Sequence, residues 1–281
     1  MLTTKLKCVP AALIVLLTTV SLVSCAKPAP QQAKSPEEKP IDCSGAGNGM
    51  ARAPTEKTKA AMAEATIATS MPLAELHEKV AAGQSSAQVE LGLRYANGTG
   101  VDQDLERAAG LFEAAIKQGN PLGYFYLGTS YINGLGREKD EARATFLWEQ
   151  SAQEGHPLSQ YWLAFMIANG RAGITVNWCA AAPLFEAAAL QDVGDSAFML
   201  GYGYQTGQFG APDFEKAATW YRKATSRTLN QKAQYNLRVM IEGYQVQWQE
   251  GDPGKPPPPK PVTREDEPKL QILDESGKVI G

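Results

Sequence analysis

The chain of 281 residues contains few of the side chains that most enzymes and metalloproteins use for chemistry. It has 2 histidines and 4 cysteines, whereas a metal site usually draws on several such ligands, so we expect no metal and no cofactor. It also lacks an excess of positive charge, because 27 Lys and Arg stand against 30 Asp and Glu. Nucleic acid is therefore excluded as the main partner, since phosphate binding needs concentrated Lys and Arg.

The N-terminus carries an uncharged run from Cys8 to Ala26, preceded by two lysines. This order predicts a lipoprotein signal peptide over residues 1–24, and a transmembrane anchor is the alternative. The end of the run, Leu22-Val23-Ser24-Cys25, looks like a bacterial lipobox and predicts lipidation of Cys25, palmitate included; ordinary cleavage after Ala26 is the other interpretation. By resemblance to Gram-negative lipoproteins, Ala26 in place of Asp favours an outer-membrane lipoprotein that faces the periplasm.

Prolines mark the remaining boundaries of the chain. Of 18 prolines, four lie in 28–40 and seven in 253–268. Residues 25–41 are predicted to be a disordered tether, and residues 251–281 a Pro-rich tail. Between them we expect a leading segment, 42–71, with a short helix near residues 55–70, followed by a repeat array over 72–250.

Short blocks recur through the array at a nearly constant spacing. Four leucines stand 36, 36 and 37 residues apart, and most are followed by glycine. When the units are aligned on these leucines, further columns of the alignment mostly hold tyrosine, two glycines, aspartate or asparagine, alanine and an aromatic residue. A fixed period of this length indicates stacked supersecondary units. The repeated dipeptides are Leu91-Gly92, Leu127-Gly128, Leu163-Ala164 and Leu200-Gly201.

Each unit has the pattern of two helices joined by a tight turn. In the first unit, Ala87, Leu91 and Tyr95 are four residues apart and therefore share one helix face. Gly98 permits a positive φ angle in the turn, and Asp104 is placed to cap the second helix. Such a hairpin cannot bury its apolar face alone, so neighbouring units must stack.

The pattern A-x-x-x-L-G-x-x-Y-x-x-G-x-G-V-x-x-D-x-x-x-A, from Ala87 to Ala108, resembles the Sel-one-like repeat, a relative of the tetratricopeptide repeat. Four full repeats run over about 86–230. A half repeat precedes them at 72–83, and another follows from Ala233 to about Gln249. The resemblance implies an all-α fold, a right-handed α-solenoid, which we expect to be monomeric and to work in protein–protein contact.

Signals for catalysis are few. We expect His77 and His156 on the surface, and no G-x-S-x-G motif is present. Ser24 and Lys27 have the S-x-x-K spacing of penicillin-recognising enzymes, but the predicted processing before Cys25 separates them. We therefore expect no enzyme activity. Because some secreted relatives are linked to penicillin binding, a penicillin-binding or β-lactamase-like hydrolase is kept as an alternative.

Two cysteines remain after the predicted processing. Cys43 and Cys179 would form an even pair in an oxidising compartment, so we predict a disulfide that pins the leading segment to the third repeat. The alternative is a buried Cys179 with an unpaired Cys43.

A candidate binding patch precedes the repeated leucines. The residue just before the leucine is polar in the first and last units but large and apolar at Tyr126, Trp162 and Met199. Phe165 and Met166 extend this patch. We predict that the five residues lie on the concave face and bind a protein partner, and the alternative is that they form inter-repeat core.

These observations predict a lipid-anchored periplasmic scaffold that holds a protein partner. The alternative role is that of an immunity lipoprotein, an inhibitor that neutralises a secreted antibacterial effector such as a type VI phospholipase. Similar repeat lipoproteins act in that way.

Overall fold

A computed structural model describes residues 43, 50–226, 230–243 and 246–254. The predicted signal peptide, Cys25, the tether and most of the tail lie outside these residues. Contacts group 39–281 into one compact unit, to which every described residue belongs. No helix in the described ranges is both long and apolar enough to cross a membrane.

Regular structure in the described part of the chain consists of eleven α-helices and no strand. The predicted all-α class is therefore confirmed. The helices are α1 (Glu56–Thr69), α2 (Leu73–Ala81), α3 (Ser85–Asn97), α4 (Leu105–Ile116), α5 (Pro121–Asn133), α6 (Glu141–Gln153), α7 (Pro157–Ala168), α8 (Trp178–Leu190), α9 (Gly194–Thr206), α10 (Phe214–Ser226) and α11 (Gln231–Glu242).

Helices α3 to α10 form four hairpins, and α11 begins a fifth. The first helices are α3, α5, α7 and α9, and the second helices are α4, α6, α8 and α10. Each helix from α3 onward packs against the next one along the chain. The result is an α-solenoid, in which the apolar face of one hairpin is buried by its neighbours.

Turns and caps follow the repeated columns. Gly98, Gly134 and Gly207 end first helices in the left-handed conformation that glycine adopts without strain. The side chains of Asp104 and Asp140 accept a hydrogen bond from the backbone N–H three residues on, at 2.9 and 2.8 Å. The predicted turn and capping roles are thus confirmed.

The glycine after the repeated leucine lets an aromatic ring of the second helix lie directly on the first helix. A Cβ atom at Gly92 would come within 2.6 Å of the Phe112 ring, and one at Gly128 within 2.7 Å of Trp148 Nε1. The Trp148 indole also donates a hydrogen bond to the Phe125 carbonyl at 3.2 Å. The first two hairpins therefore each close on one buried aromatic residue.

The leading segment runs back across the array. Helix α1 begins after its cap, Thr55, as the sequence predicts, and packs against α3 and α5. At its N-terminal end, the Thr58 hydroxyl donates to the Glu154 carbonyl at 2.7 Å. The Gln160 side chain donates to the carbonyls of Met50 and Arg52 at 3.0 and 2.7 Å. The segment thereby joins the first repeat to the junction between the second and third.

The array ends earlier than the sequence indicates. Helix α11 stops at Glu242, whereas the sequence predicts a helix to about Gln249. Val246 is buried against the last core cluster. Asp252 accepts hydrogen bonds from Arg222 Nε at 2.9 Å and from the Gln249 backbone N–H at 2.8 Å. These contacts hold residues 246–254 as a cap over α10 and α11, which a continued helix would not allow.

Candidate partner-binding site

The predicted patch before the leucines lies at the junctions between repeats. Tyr126 stacks on Phe112 of the preceding repeat, with ring centroids 5.5 Å apart. Trp162 stacks in the same way on Trp148, also at 5.5 Å. Burial and the nearby Glu90 carboxylate raise the pKa of the Tyr126 hydroxyl. These side chains are half-buried, so they contribute to packing while keeping an accessible edge.

The other predicted residues separate into two environments. Phe165 and Met199 are half-buried beside the second core cluster, and their role in partner binding stays a prediction, as does that of Tyr126 and Trp162. Met166 requires a correction, because its side chain is only 1% exposed and belongs to the first core cluster. It cannot extend a binding patch, since no partner atom can reach it in this packing.

A second set of first-helix residues points away from the core. Positions two before and two after the repeated leucine lie about 160° around the helix from it. We call the side formed by these two columns the front face. The column before the leucine holds Val89, Phe125, Tyr161, Phe198 and Tyr235, and the column after it holds Leu93, Thr129, Phe165, Tyr202 and Val239.

The exposure of the front face changes along the array. Val89 and Phe125 are buried, and they share a core cluster with Ala61 and Ala68 of α1. Helix α1 packs on α3 and α5, the two helices that carry these buried residues. The first half of the front face is therefore covered by the leading segment of the same chain.

The second half of the front face is aromatic, half-buried on α7 and more open on α9 and α11. Tyr202 is 40% exposed, Tyr235 67% and Val239 45%. Phe198 lies 6.5 Å from Tyr202 between ring centroids, one helical turn away on α9. On α7, Tyr161 and Phe165 form the corresponding pair at 6.4 Å. An apolar strip therefore extends over α7, α9 and α11.

Tyr161 of this strip stays uncharged over the physiological pH range. Burial, and secondarily the Asp195 carboxylate, raises the pKa of Tyr161 to about 12, so its phenol remains protonated. Large neutral rings offer apolar area with a polar edge, the composition that recurs at binding hot spots. The strip can bind a partner, and its side chains include no acid–base pair or nucleophile arranged for catalysis.

His156 is a capping residue inside the molecule, which corrects the prediction that it lies on the surface. It is the N-cap of α7, where its Nδ1 atom accepts a hydrogen bond from the Ser159 N–H at 3.3 Å. Its ring lies 4.9 Å from the Phe125 ring. Burial lowers the pKa of His156 from 6.5 to about 4. The imidazole is therefore neutral and structural, while His77 is exposed.

The two remaining cysteines meet at the start of the third repeat's second helix. The Cα atoms of Cys43 and Cys179 lie 5.0 Å apart, a separation that a disulfide spans, and the bond itself stays a prediction. Further along the segment, Ala51, Arg52 and Ala53 lie beside Pro183 and Leu190 of α8. A Cβ atom at Gly155 would overlap the Ala53 carbonyl, so this position accommodates only glycine without movement.

The sequence contains a signal for the front face in a different column from that of the predicted patch. Aromatic residues recur two positions before the leucine in four consecutive units, at Phe125, Tyr161, Phe198 and Tyr235. Periodicity identifies such a column, but it does not distinguish a ring covered by α1 from a ring in solvent. Among the five residues predicted from sequence, only Phe165 belongs to this face.

Comparison with protein families gives one match. The Sel1 repeat model matches residues 85–120, 121–156, 157–192 and 194–228, slightly more than half of the chain. This is the repeat that the sequence resembles, and each matched segment begins at the first residue of a first helix. No curated protein matches the chain.

Solved structures give the same fold. A protective antigen of uropathogenic Escherichia coli with an SLR fold is 30% identical, over 62% of this chain and 37% of that one, with a TM-score of 0.58. A Sel1 repeat protein from Oxalobacter formigenes is 21% identical, over 59% and 67% of the two chains, with a TM-score of 0.55. The chain thus spans little more than a third of the length of the first protein, and the second similarity shows the fold alone.

An immunity protein of Pseudomonas aeruginosa is 18% identical, over 74% of this chain and 78% of that one. Its TM-score is 0.44, which is too low to support an argument about the role of this chain.

Proposed function

This chain belongs to the Sel1 repeat family, whose members are protein-interaction scaffolds, and on that premise we propose that it binds a protein partner through the open half of its front face. The observation that carries the proposal is the change in exposure along one repeated column. Phe125 is buried beneath α1, whereas Tyr235, in the same column, is 67% exposed. The column is buried in the first repeats and exposed in the later ones. Exposed aromatic side chains of this kind favour an interface with another molecule.

Two exposed tyrosines allow the interface to be tested without damage to the core. Truncating Tyr202 or Tyr235 to alanine removes ring area that is already in contact with water, so we expect little change in folding stability. Each truncation should weaken partner binding by about tenfold or more if the ring is a hot spot. The matched control is Phe146→Ala on α6, an exposed aromatic residue outside the front face.

The experiment begins with crosslinking in intact cells and identification of the captured protein. The purified partner is then titrated against the wild-type chain and the three variants. Binding that is lost in Tyr202→Ala and Tyr235→Ala but kept in Phe146→Ala supports the proposal. Equal affinity for all four proteins would show that the partner uses another surface.

We further propose that Cys25 anchors the scaffold to the inner leaflet of the outer membrane. The lipobox-like residues before Cys25 support this proposal, and acyl chains add about 0.8 kcal/mol of membrane affinity per buried CH₂ group. Labelled palmitate should enter the wild-type protein and fail to enter Cys25→Ser. Unlabelled wild-type protein in the soluble fraction would contradict the anchor. The immunity role stays a prediction from the sequence, and a captured effector would favour it.

A further inference from the structure

One helix already lies on the front face, and it shows what kind of surface this face accepts. The side of α1 that faces the array carries Thr58, Ala61, Ala65 and Ala68, spaced by three, four and three residues. Thr58, Ala61 and Ala68 are buried, and Ala65 packs against the same cluster. Small side chains at this spacing form one stripe along a helix and let its backbone come close to the rings beneath.

The length of α1 matches the distance it crosses. Its 14 residues span about 21 Å at 1.5 Å per residue. This reaches from Glu154, just before α7, to α3, where Arg94 donates to the carbonyls of Thr69 and Met71 at 3.2 and 2.7 Å. The covered part therefore runs from the start of α7 across α5 to α3. The open part lies on the other three first helices, α7, α9 and α11.

The helices that form the open part of the front face favour a helical ligand. The backbone groups of α7, α9 and α11 are paired within their own helices, so the front face offers no free edge to which an extended strand could add. Most backbone N–H and C=O groups of a helical ligand are hydrogen-bonded within the ligand. Such a ligand can therefore bind through side-chain contacts alone. Helix α1 already makes that kind of contact on the adjoining helices of the same face.

We infer that the open front face of α7, α9 and α11 binds one helix of a partner protein, about four turns long, with small residues at positions i, i+3, i+7 and i+10. The partner helix continues the surface that α1 begins, with its stripe against Phe165, Tyr202 and Tyr235. This inference rests on the proposed function and specifies the class of ligand. The α1 sequence serves as the first probe, because it carries the required stripe.

The test uses a capped, fluorescent peptide with the sequence of residues 55–70, titrated against the full chain. A control peptide replaces Ala61 and Ala65 with glutamate, which puts charge into the stripe. Protein variants are Tyr202→Ala, Tyr235→Ala and the Phe146→Ala control. We expect saturable binding that falls by at least about tenfold in both tyrosine variants and with the control peptide, and that is unchanged in Phe146→Ala.

A photo-crosslinker at the peptide position of Met62 locates the bound helix. Crosslinks to α9 or α11 support the inference, whereas crosslinks to α3 or α5 would mean that the peptide replaces α1 and would overturn it. The absence of saturable binding, or equal binding of the glutamate peptide, would also overturn it. If the peptide fails while the captured partner still depends on Tyr202 and Tyr235, only the helix class is wrong. If the partner is indifferent to both tyrosines, the proposed function is wrong as well.

Discussion

Acidification should destabilise the array through one buried histidine. The pKa of His156 is lowered from 6.5 to about 4 by burial, so the unfolded chain binds a proton at a pH where the folded chain does not. The contribution of the neutral His156 to stability is therefore present above pH 6.5, and it is lost as the pH falls toward 4. From these two values the loss between pH 7.5 and pH 5 is about 2 kcal/mol. Protonation of Nδ1 would also remove the acceptor that caps α7.

The repeats provide a matched control for this effect. Asn120 and Asn230 hold the corresponding N-cap positions of α5 and α11 and accept the same kind of hydrogen bond. His156→Asn should therefore keep the cap and remove the titration. Urea unfolding, followed by tryptophan fluorescence at pH 7.5, 6.5, 5.5 and 5.0, measures the free energy of unfolding of both proteins.

The informative quantity is the difference in pH dependence between the two proteins. Carboxylates such as Asp213, whose pKa is lowered by hydrogen bonds from the backbone N–H and side chain of Lys216, titrate equally in both and cancel. Wild type should lose about 2 kcal/mol more than His156→Asn between pH 7.5 and pH 5. Parallel pH profiles would refute the assignment of a buried, neutral imidazole at this position.

The remaining predictions concern packing and covalent structure. Gly128→Ala should lower stability by about 1–3 kcal/mol, because its Cβ meets an indole ring. Gly110→Ala, in an exposed helical position with open space around it, should instead raise stability by about 0.5–1 kcal/mol. Thermal unfolding of the two variants checks both signs. Asp252→Asn should lower stability by about 2–4 kcal/mol and loosen the C-terminal cap, because it leaves the partly buried Arg222 guanidinium without its ionic partner. Faster amide hydrogen exchange in α10 and α11 would detect this loosening, and unchanged exchange would contradict it. Mass spectrometry without reductant should find Cys43 and Cys179 in one linked peptide, and separate thiol-labelled peptides would disprove the link.

The sequence predicts those caps and turns that recur from repeat to repeat. Asp104 and Gly98 each have counterparts one period away, so their capping and turn roles could be assigned before any coordinates were known. The course of α1 could not be predicted, because residues 55–70 match no repeat column. The segment is held by hydrogen bonds to Glu154 and Arg94, which lie 96 and 25 residues from Thr58 and Thr69, and such long-range pairings leave no local pattern.

The candidate site is only partly predictable for the same reason. Helical spacing places Tyr202 and Tyr235 opposite the core, but their exposure depends on which first helices α1 covers. Met166 stands beside Phe165 in the sequence and has the same apolar character, yet a rotation of about 100° puts it in the core. His156 occupies an N-cap column that holds asparagine in two other units, which is a signal that could have identified its role.

The backward course of the leading segment has a consequence for the order of events during synthesis. Residues emerge from the ribosome in sequence, so α1 appears before any of the surface on which it lies. The Thr58 hydroxyl can donate to the Glu154 carbonyl only after residue 154 has been made, and the Met50 carbonyl can accept from the Gln160 side chain only after residue 160 has been made. A pure repeat array can assemble one hairpin at a time, whereas the N-terminal end of α1 meets its hydrogen-bond partner 96 residues further along this chain. The start of α1 therefore completes its native contacts only after the first two repeats have been made.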